Sequence, residues 1–146
     1  MNRAFSAVKE RLKRSIERER CLEKHFEAVS MRLWPWRDSS LVALVGLLAV
    51  LDYTSTYAFL ELSGNKSLYE SGKLASWALQ KGGMSFLFWT DVAAVSALIL
   101  LAISLRFFQF RFGFRGYGRA CFVVLLIPYA VITLAVVFNN VVLVFL

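Results

Sequence analysis

The sequence predicts an all-α membrane protein with three transmembrane helices. Two observations carry this prediction. Of the 146 residues, 58% are hydrophobic and only 18% are charged, and three apolar segments reach the ~20 residues that a helix needs to cross a bilayer. These segments are residues 41–62, 84–108 and 120–146. An N-terminal amphipathic helix and a short interfacial helix complete the architecture, which divides into residues 1–37 and a membrane domain of residues 38–146.

The N-terminal segment predicts one long amphipathic helix outside the membrane. Apolar residues recur at a spacing of three or four, interrupted in the middle of the segment. They are Phe5, Val8, Leu12, Leu22, Phe26, Val29 and Leu33. Acidic and basic residues alternate on the polar face, whereas a helix on lipid usually has a uniformly basic one. We therefore expect this arm to pack on another protein or a second copy at least as readily as on lipid, because the chain offers it no obvious internal surface.

The segment Trp34-Pro35-Trp36 predicts a hinge after this helix. Pro35 ends the helical hydrogen bonding, and both indoles favour the headgroup level. We expect a polar side chain just beyond the hinge to cap the first transmembrane helix. The candidates are Asp38, Ser39 and Ser40.

Lysine and arginine predict the orientation. Residues 1–37 contain ten of the 17 basic residues, and residues 106–119, from the end of the second span to the start of the third, contain four more. These four are Arg106, Arg111, Arg115 and Arg119. Because basic residues favour the cytoplasmic side, the N-terminus is predicted in the cytoplasm and the C-terminus outside. We expect the four arginines to anchor the chain at the interface and to contact anionic lipid rather than nucleic acid.

Residues 67–81 predict a short helix on the outer surface of the membrane. Ser67 and Glu70 have the spacing of a capping box, and Gly82 and Gly83 form a stop signal. Because about fourteen residues are too few to span a bilayer, the helix is expected to lie at the interface.

Polar side chains fall at similar depths in all three predicted spans. At a rise of 1.5 Å per residue, Asp52 lies roughly 15 Å and Asp91 roughly 12 Å from the outer ends of their helices. The last span has Asn139 and Asn140 roughly 9 to 11 Å from its outer end. Ser55 and Thr56 share a helix face with Asp52. We therefore expect one polar cluster, in which at least one of the two carboxyl groups holds a proton.

This cluster has two interpretations. It holds the helices together, each contact contributing on the order of 1 kcal/mol, or it carries protons, an ion or a small polar ligand. The single histidine, His25, lies outside the spans. The sequence therefore does not support a histidine metal cluster, a bis-histidine haem site or a Ser-His-Asp triad within the membrane. We expect no catalytic residue, no metal and no cofactor.

Asp52, Ser55 and Thr56 form the pattern D-x-x-S-T, which resembles a family of small prokaryotic membrane proteins known only as a domain of unknown function. The resemblance covers residues 41–146. It places Glu70 at an acidic position of the family's outer loop, while "GK" follows "YES" where the family has Asn-Pro. The late asparagines also fit the family. The resemblance implies a location in a prokaryotic cytoplasmic membrane, the three-span fold and the polar cluster, without naming an activity.

Together these features predict a noncatalytic accessory or scaffolding subunit of a larger membrane complex, bound to other membrane subunits or to a second copy. The alternative is a small proton- or ion-coupled transport module that uses Asp52 and Asp91. A sensor that signals through the amphipathic arm is a third possibility.

Overall fold

The computed structural model describes residues 2–62 and 73–145, which form four helices and no strand. They are α1 (Asn2–Leu33), α2 (Asp38–Leu62), α3 (Lys73–Arg111) and α4 (Arg115–Phe145). The last three are long and apolar enough to cross a membrane. The predicted fold class is therefore confirmed.

The apolar core lies mainly between α2 and α4. On α2, Leu41, Val45 and Leu48 are buried, and their spacing of four and three places them on one face of the helix. The facing residues of α4 are Phe122, Val123, Leu126 and Ala130. Small and apolar side chains of α3, Val95 and Ala102, complete this core.

Contacts at the two ends of the bundle give the directions of the helices. Asp38 at the start of α2 contacts Arg119 near the start of α4, and Ser55 contacts Asn140 farther along both helices. The two helices therefore run parallel. Asp38 also contacts Arg106 near the end of α3, so α3 runs antiparallel to both.

The connection between α3 and α4 is shorter than expected, because both helices extend into the segment that carries the four arginines. Arg106 and Arg111 lie on the last turns of α3, and Arg115 and Arg119 lie on the first turns of α4. Gly113 ends α3 with φ 86°, a conformation that favours glycine. The amide of Phe114 donates to Gln109 (2.9 Å) and that of Gly113 to Phe110 (3.1 Å), which is a Schellman cap.

The predicted stop after residue 81 is confirmed as an interruption within α3. Gly82 has φ −155° and ψ 18°, and Gly83 has φ 65° and ψ −158°. Both conformations lie outside the helical region, so residues 73–81 form a separate helical segment. The predicted beginning of this helix, with Ser67 and Glu70, lies outside the described residues.

The amphipathic arm does find an internal surface, contrary to expectation. Its last third packs on the first turns of α4, where the rings of Phe26 and Tyr117 lie 5.1 Å apart. The Gly116 amide donates to the Glu23 carboxylate at 3.1 Å. The prediction missed this contact because Gly116 removes the side chain that would separate the two helices, and this effect depends on tertiary packing.

Candidate functional site

A buried hydrogen-bonded contact joins α2 to α4 inside the membrane. The Asn140 side-chain amide donates to Ser55 Oγ (3.3 Å) and Thr56 Oγ1 (3.1 Å). All three side chains are buried. In hydrocarbon no water replaces a missing partner, so this amide and both hydroxyls satisfy one another. The structure thus brings together three of the residues predicted for the polar cluster.

Asp52 lies one turn before this contact, and its carboxyl group faces the bundle rather than lipid. The Oδ1 atom is buried, and the main-chain carbonyl of Asp52 accepts a hydrogen bond from Ser55 Oγ at 3.0 Å. Ser55 therefore connects Asp52 to Asn140 through its single hydroxyl group.

Asn139 does not belong to the cluster. Its side chain is exposed, whereas that of Asn140 is buried. Consecutive side chains on an α-helix point about 100° apart, so α2 can contact only one of the two. The prediction for Asn139 is wrong for this reason, since depth alone does not fix the helix face.

Asp91 lies in a different environment, in the wall of an open groove between α2 and α3. The groove has a volume of about 240 Å³, and all its lining residues come from these two helices. Besides the carboxyl group of Asp91, the lining is mainly apolar and includes Ala49, Val92 and Val95. Asp91 itself is half-buried. Its carboxyl group is therefore open to an occupant of the groove.

Tyr129 lies near both carboxyl groups, and it was not among the residues predicted for the polar cluster. This half-buried residue of α4 lies within electrostatic range of both Asp52 and Asp91, and Thr133, one turn farther along the helix, is buried. Tyr129 and Thr133 stand eleven and seven positions before Asn140, which places all three on one face of α4. The helical spacing of these three residues was the available signal in the sequence.

A second polar site lies at the opposite end of the bundle. Asp38 forms ion pairs with Arg106 and with Arg119, whose Nε lies 3.4 Å from Oδ1. Arg119 also donates to the main-chain carbonyls of Trp34 and Trp36 at 3.1 Å each. One guanidinium thus ties the hinge to α4. Asp38, one of the three candidate caps of α2, takes part in this ion-pair network.

The other predicted interface anchors divide between two environments. Arg115 stacks over the ring of Phe110, 4.9 Å from its centroid, whereas Arg111 is exposed. The indoles of Trp34 and Trp36 pack edge to face at 4.8 Å. Three of the four arginines in the α3–α4 region therefore have defined contacts. The hinge is held by the contact between its two indoles and by the hydrogen bonds from Arg119.

Among the residues that the structure describes, no three His, Cys, Asp or Glu side chains lie close enough together to hold a metal ion. Compared with known protein families, curated proteins and solved structures, the chain shows no match. The family resemblance built on D-x-x-S-T stays a prediction. The geometry described above is thus the basis for interpreting both sites.

Proposed function

We propose that this protein is a noncatalytic accessory subunit of a larger membrane complex, and that a transmembrane helix of another subunit occupies the groove between α2 and α3. The position of Asp91 carries the proposal. A carboxyl group facing lipid near the bilayer centre costs at least ~2.5 kcal/mol. A partner helix that offers a hydrogen bond or a positive charge lowers this cost.

The shape of the groove supports a helix as its occupant. Gly46, Ala49 and Ser96 line it, and such small residues let two helix backbones approach closely. Gly46 is open enough that an added Cβ would meet no atom within 4 Å. Dispersion contacts along the small-residue wall would then add to the polar contact at Asp91.

The charge pattern favours a different chain over a second copy. Residues 41–62, 84–105 and 120–146 contain no lysine or arginine, so another copy brings no cation to the depth of Asp91. Asn139 is the exposed amide that a second copy would offer instead. A partner span with a basic residue satisfies the carboxylate more completely.

The exposed part of the arm supports an assembly role independently. Leu12, Ile16 and Leu22 are 62%, 43% and 51% exposed, and they precede the part of α1 that packs on α4 through Glu23 and Phe26. Such a stripe on a helix with mixed charges suits a protein surface better than lipid. A partner would thus be contacted both inside and outside the membrane.

A photo-crosslinking experiment tests the proposed occupant. Benzoylphenylalanine is placed at Val92, on the groove wall, or at Leu100, an exposed control position on α3 that is not among the groove-lining residues. We expect Val92 to give a product of defined mass with one other membrane protein, identified by mass spectrometry, and Leu100 to give none. Asp91→Ala should reduce the Val92 product, while Asn139→Ala should leave it unchanged.

Two results would contradict the proposal. Equal products at Val92 and Leu100 would show contact without a specific groove. A product that joins two differently tagged copies of this chain, and that Asn139→Ala removes, would show a homo-oligomer instead.

The second candidate is proton- or ion-coupled transport, and the grouping of Asp52, Asp91 and Tyr129 favours it. The test is proton-linked flux in proteoliposomes that contain the wild type, Asp52→Asn or Asp91→Asn. Transport requires flux in the wild type and its loss in variants of unchanged assembly. If the wild type carries no flux, this candidate is wrong.

A further inference from the structure

An open pocket of about 440 Å³ lies where the ends of all four helices meet. Its charged lining residues are Arg37, Arg106, Arg115, Arg119, Glu27 and Asp38. Four guanidinium groups thus face two carboxylates, and the pocket has an excess of positive charge. Such a pocket favours an anionic ligand.

Two of the four arginines already form ion pairs within the protein. Arg106 and Arg119 both pair with Asp38. The side chains of Arg37 and Arg115 form no ion pair with the described residues. These two guanidinium groups, which line the same pocket, are therefore available for a ligand.

Neighbouring groups hold the backbone of Arg37 and the guanidinium group of Arg115. The main-chain carbonyl of Arg37 accepts hydrogen bonds from Trp34 Nε1 (3.1 Å), Ser40 N (3.0 Å) and Ser40 Oγ (2.6 Å). The Arg115 guanidinium stacks on Phe110. The stacked guanidinium group of Arg115 therefore loses less freedom when it binds a ligand, and the held backbone of Arg37 fixes where its side chain begins.

Two helices also begin at this pocket, which adds to its positive potential. α2 begins at Asp38 and α4 at Arg115, and both residues line the pocket. The unpaired amide groups and the aligned peptide dipoles of a helix N-terminus favour a negative charge. The arginines and the helix ends therefore select for the same kind of ligand.

We propose that this pocket binds the phosphate group of an anionic membrane lipid, with Arg37 and Arg115 as the contacting residues. A planar guanidinium group can bind two phosphate oxygens at once. The ion pairs of Asp38 with Arg106 and Arg119 hold the helix ends that surround the pocket. The phosphate group is assigned to a lipid for two reasons. The apolar spans begin or end beside the pocket, at Asp38, Arg111 and Arg115, and the exposed indole of Trp36 suits the headgroup level.

This inference goes beyond a general contact between the basic region and lipid. The proposed site includes Arg37, which directly follows the hinge. It excludes Arg111, which does not line the pocket. Since Arg111 is exposed on the same end of the bundle, it serves as a matched control for the loss of one charge.

The test is native mass spectrometry of the full chain in detergent, titrated with dioleoylphosphatidylglycerol or dioleoylphosphatidylcholine. We expect the wild type to bind the anionic lipid preferentially. Arg37→Gln with Arg115→Gln should weaken this binding by tenfold or more, whereas Arg111→Gln should change it less than twofold. The double Lys variant, which keeps the charge and the fold but loses the planar group, should lie between them.

Three results would overturn the proposal. Equal losses of binding for Arg37→Gln, Arg115→Gln and Arg111→Gln, each measured as a single variant, would show diffuse attraction. Equal binding of both lipids would show that the pocket does not distinguish an anionic headgroup from a zwitterionic one. Displacement of the lipid by inorganic phosphate at the same concentration, with ionic strength held constant, would show a site for a soluble anion.

Discussion

At the scale of single residues, Asn140 has the clearest structural role in the membrane. Its amide bonds two hydroxyl groups on consecutive residues of α2, and the carbonyl of Asp52 accepts the hydrogen bond of one of them. Four polar residues are thus linked through one short chain of contacts. Removing the amide leaves both hydroxyls without this donor in a buried position.

We predict that Asn140→Ala lowers the free energy of unfolding by about 1–2 kcal/mol, since interhelical contacts of this type contribute amounts of this order. Asn139→Ala is the matched control, because its side chain is exposed, and it should change stability by less than ~0.5 kcal/mol. Unfolding in mixed micelles with increasing dodecyl sulfate measures both. Equal effects of the two variants would show that Asn140 does not hold α2 to α4.

Asp38 leads to a second prediction at this scale. Asp38→Asn removes the negative charge between Arg106 and Arg119, and we expect a loss of about 1–3 kcal/mol, as for hydrogen bonds to charged groups. The control is Glu10→Gln, which breaks an exposed pair with Arg14 and should cost less than ~0.5 kcal/mol. Thermal unfolding in detergent compares the variants, and a loss for Asp38→Asn no larger than for Glu10→Gln would contradict the prediction.

The sequence predicted some of the polar residues that the structure brings together, but not all of them. Ser55, Thr56 and Asn140 were predicted together from depth and helix face, because both follow from a regular rise and periodicity. Tyr129 was missed, since a tyrosine in a span has an apolar ring and is commonly assigned to packing. Its proximity to Asp52 and Asp91 depends on how α4 packs against α2 and α3.

At the scale of helices, the contact between α1 and α4 depends on the absence of a side chain. A Cβ added at Gly116 would lie 2.5 Å from the main-chain carbonyl oxygen of Glu23, well inside contact distance. Backbone atoms cannot move aside as a flexible side chain does. The two helices therefore approach closely at this point only because residue 116 is glycine.

We predict that Gly116→Ala separates the end of α1 from α4 while the membrane bundle stays folded. Limited proteolysis within α1 should become several times faster, because the arm loses its tertiary contacts. Gly46→Ala is the control, since an added Cβ there meets no atom within 4 Å. Unchanged proteolysis of α1 in Gly116→Ala would show that the arm tolerates the displacement.

At the scale of the whole molecule, the basic residues of distant segments gather at one end of the bundle. Arg37 follows α1, Arg106 lies on α3, and Arg115 and Arg119 lie on α4, yet all four line one pocket. This agrees with the three-span topology, in which both basic segments lie on the same side. The orientation of that side remains a prediction from the excess of positive charge.

The native cysteines allow the orientation to be tested. Cys21 is exposed on α1, whereas Cys121 is partly buried and accepts a hydrogen bond from Gln109 at 3.4 Å. With the N-terminus in the cytoplasm, a membrane-impermeant maleimide should label Cys21 in inverted vesicles but not in spheroplasts. Cys21→Ser should abolish that labelling, and labelling in spheroplasts would reverse the orientation.

The sequence by itself determined the number of spans, the hinge after α1 and the interruption at Gly82 and Gly83. These features depend on hydrophobic length and local backbone preferences, which are properties of contiguous residues. Only the tertiary structure decided that Asn140 rather than Asn139 joins the cluster, that Asp91 lines a groove, and that Arg37 joins three arginines of α3 and α4. Each of these depends on the rotation of one helix relative to another, which packing fixes and which sequence periodicity leaves open.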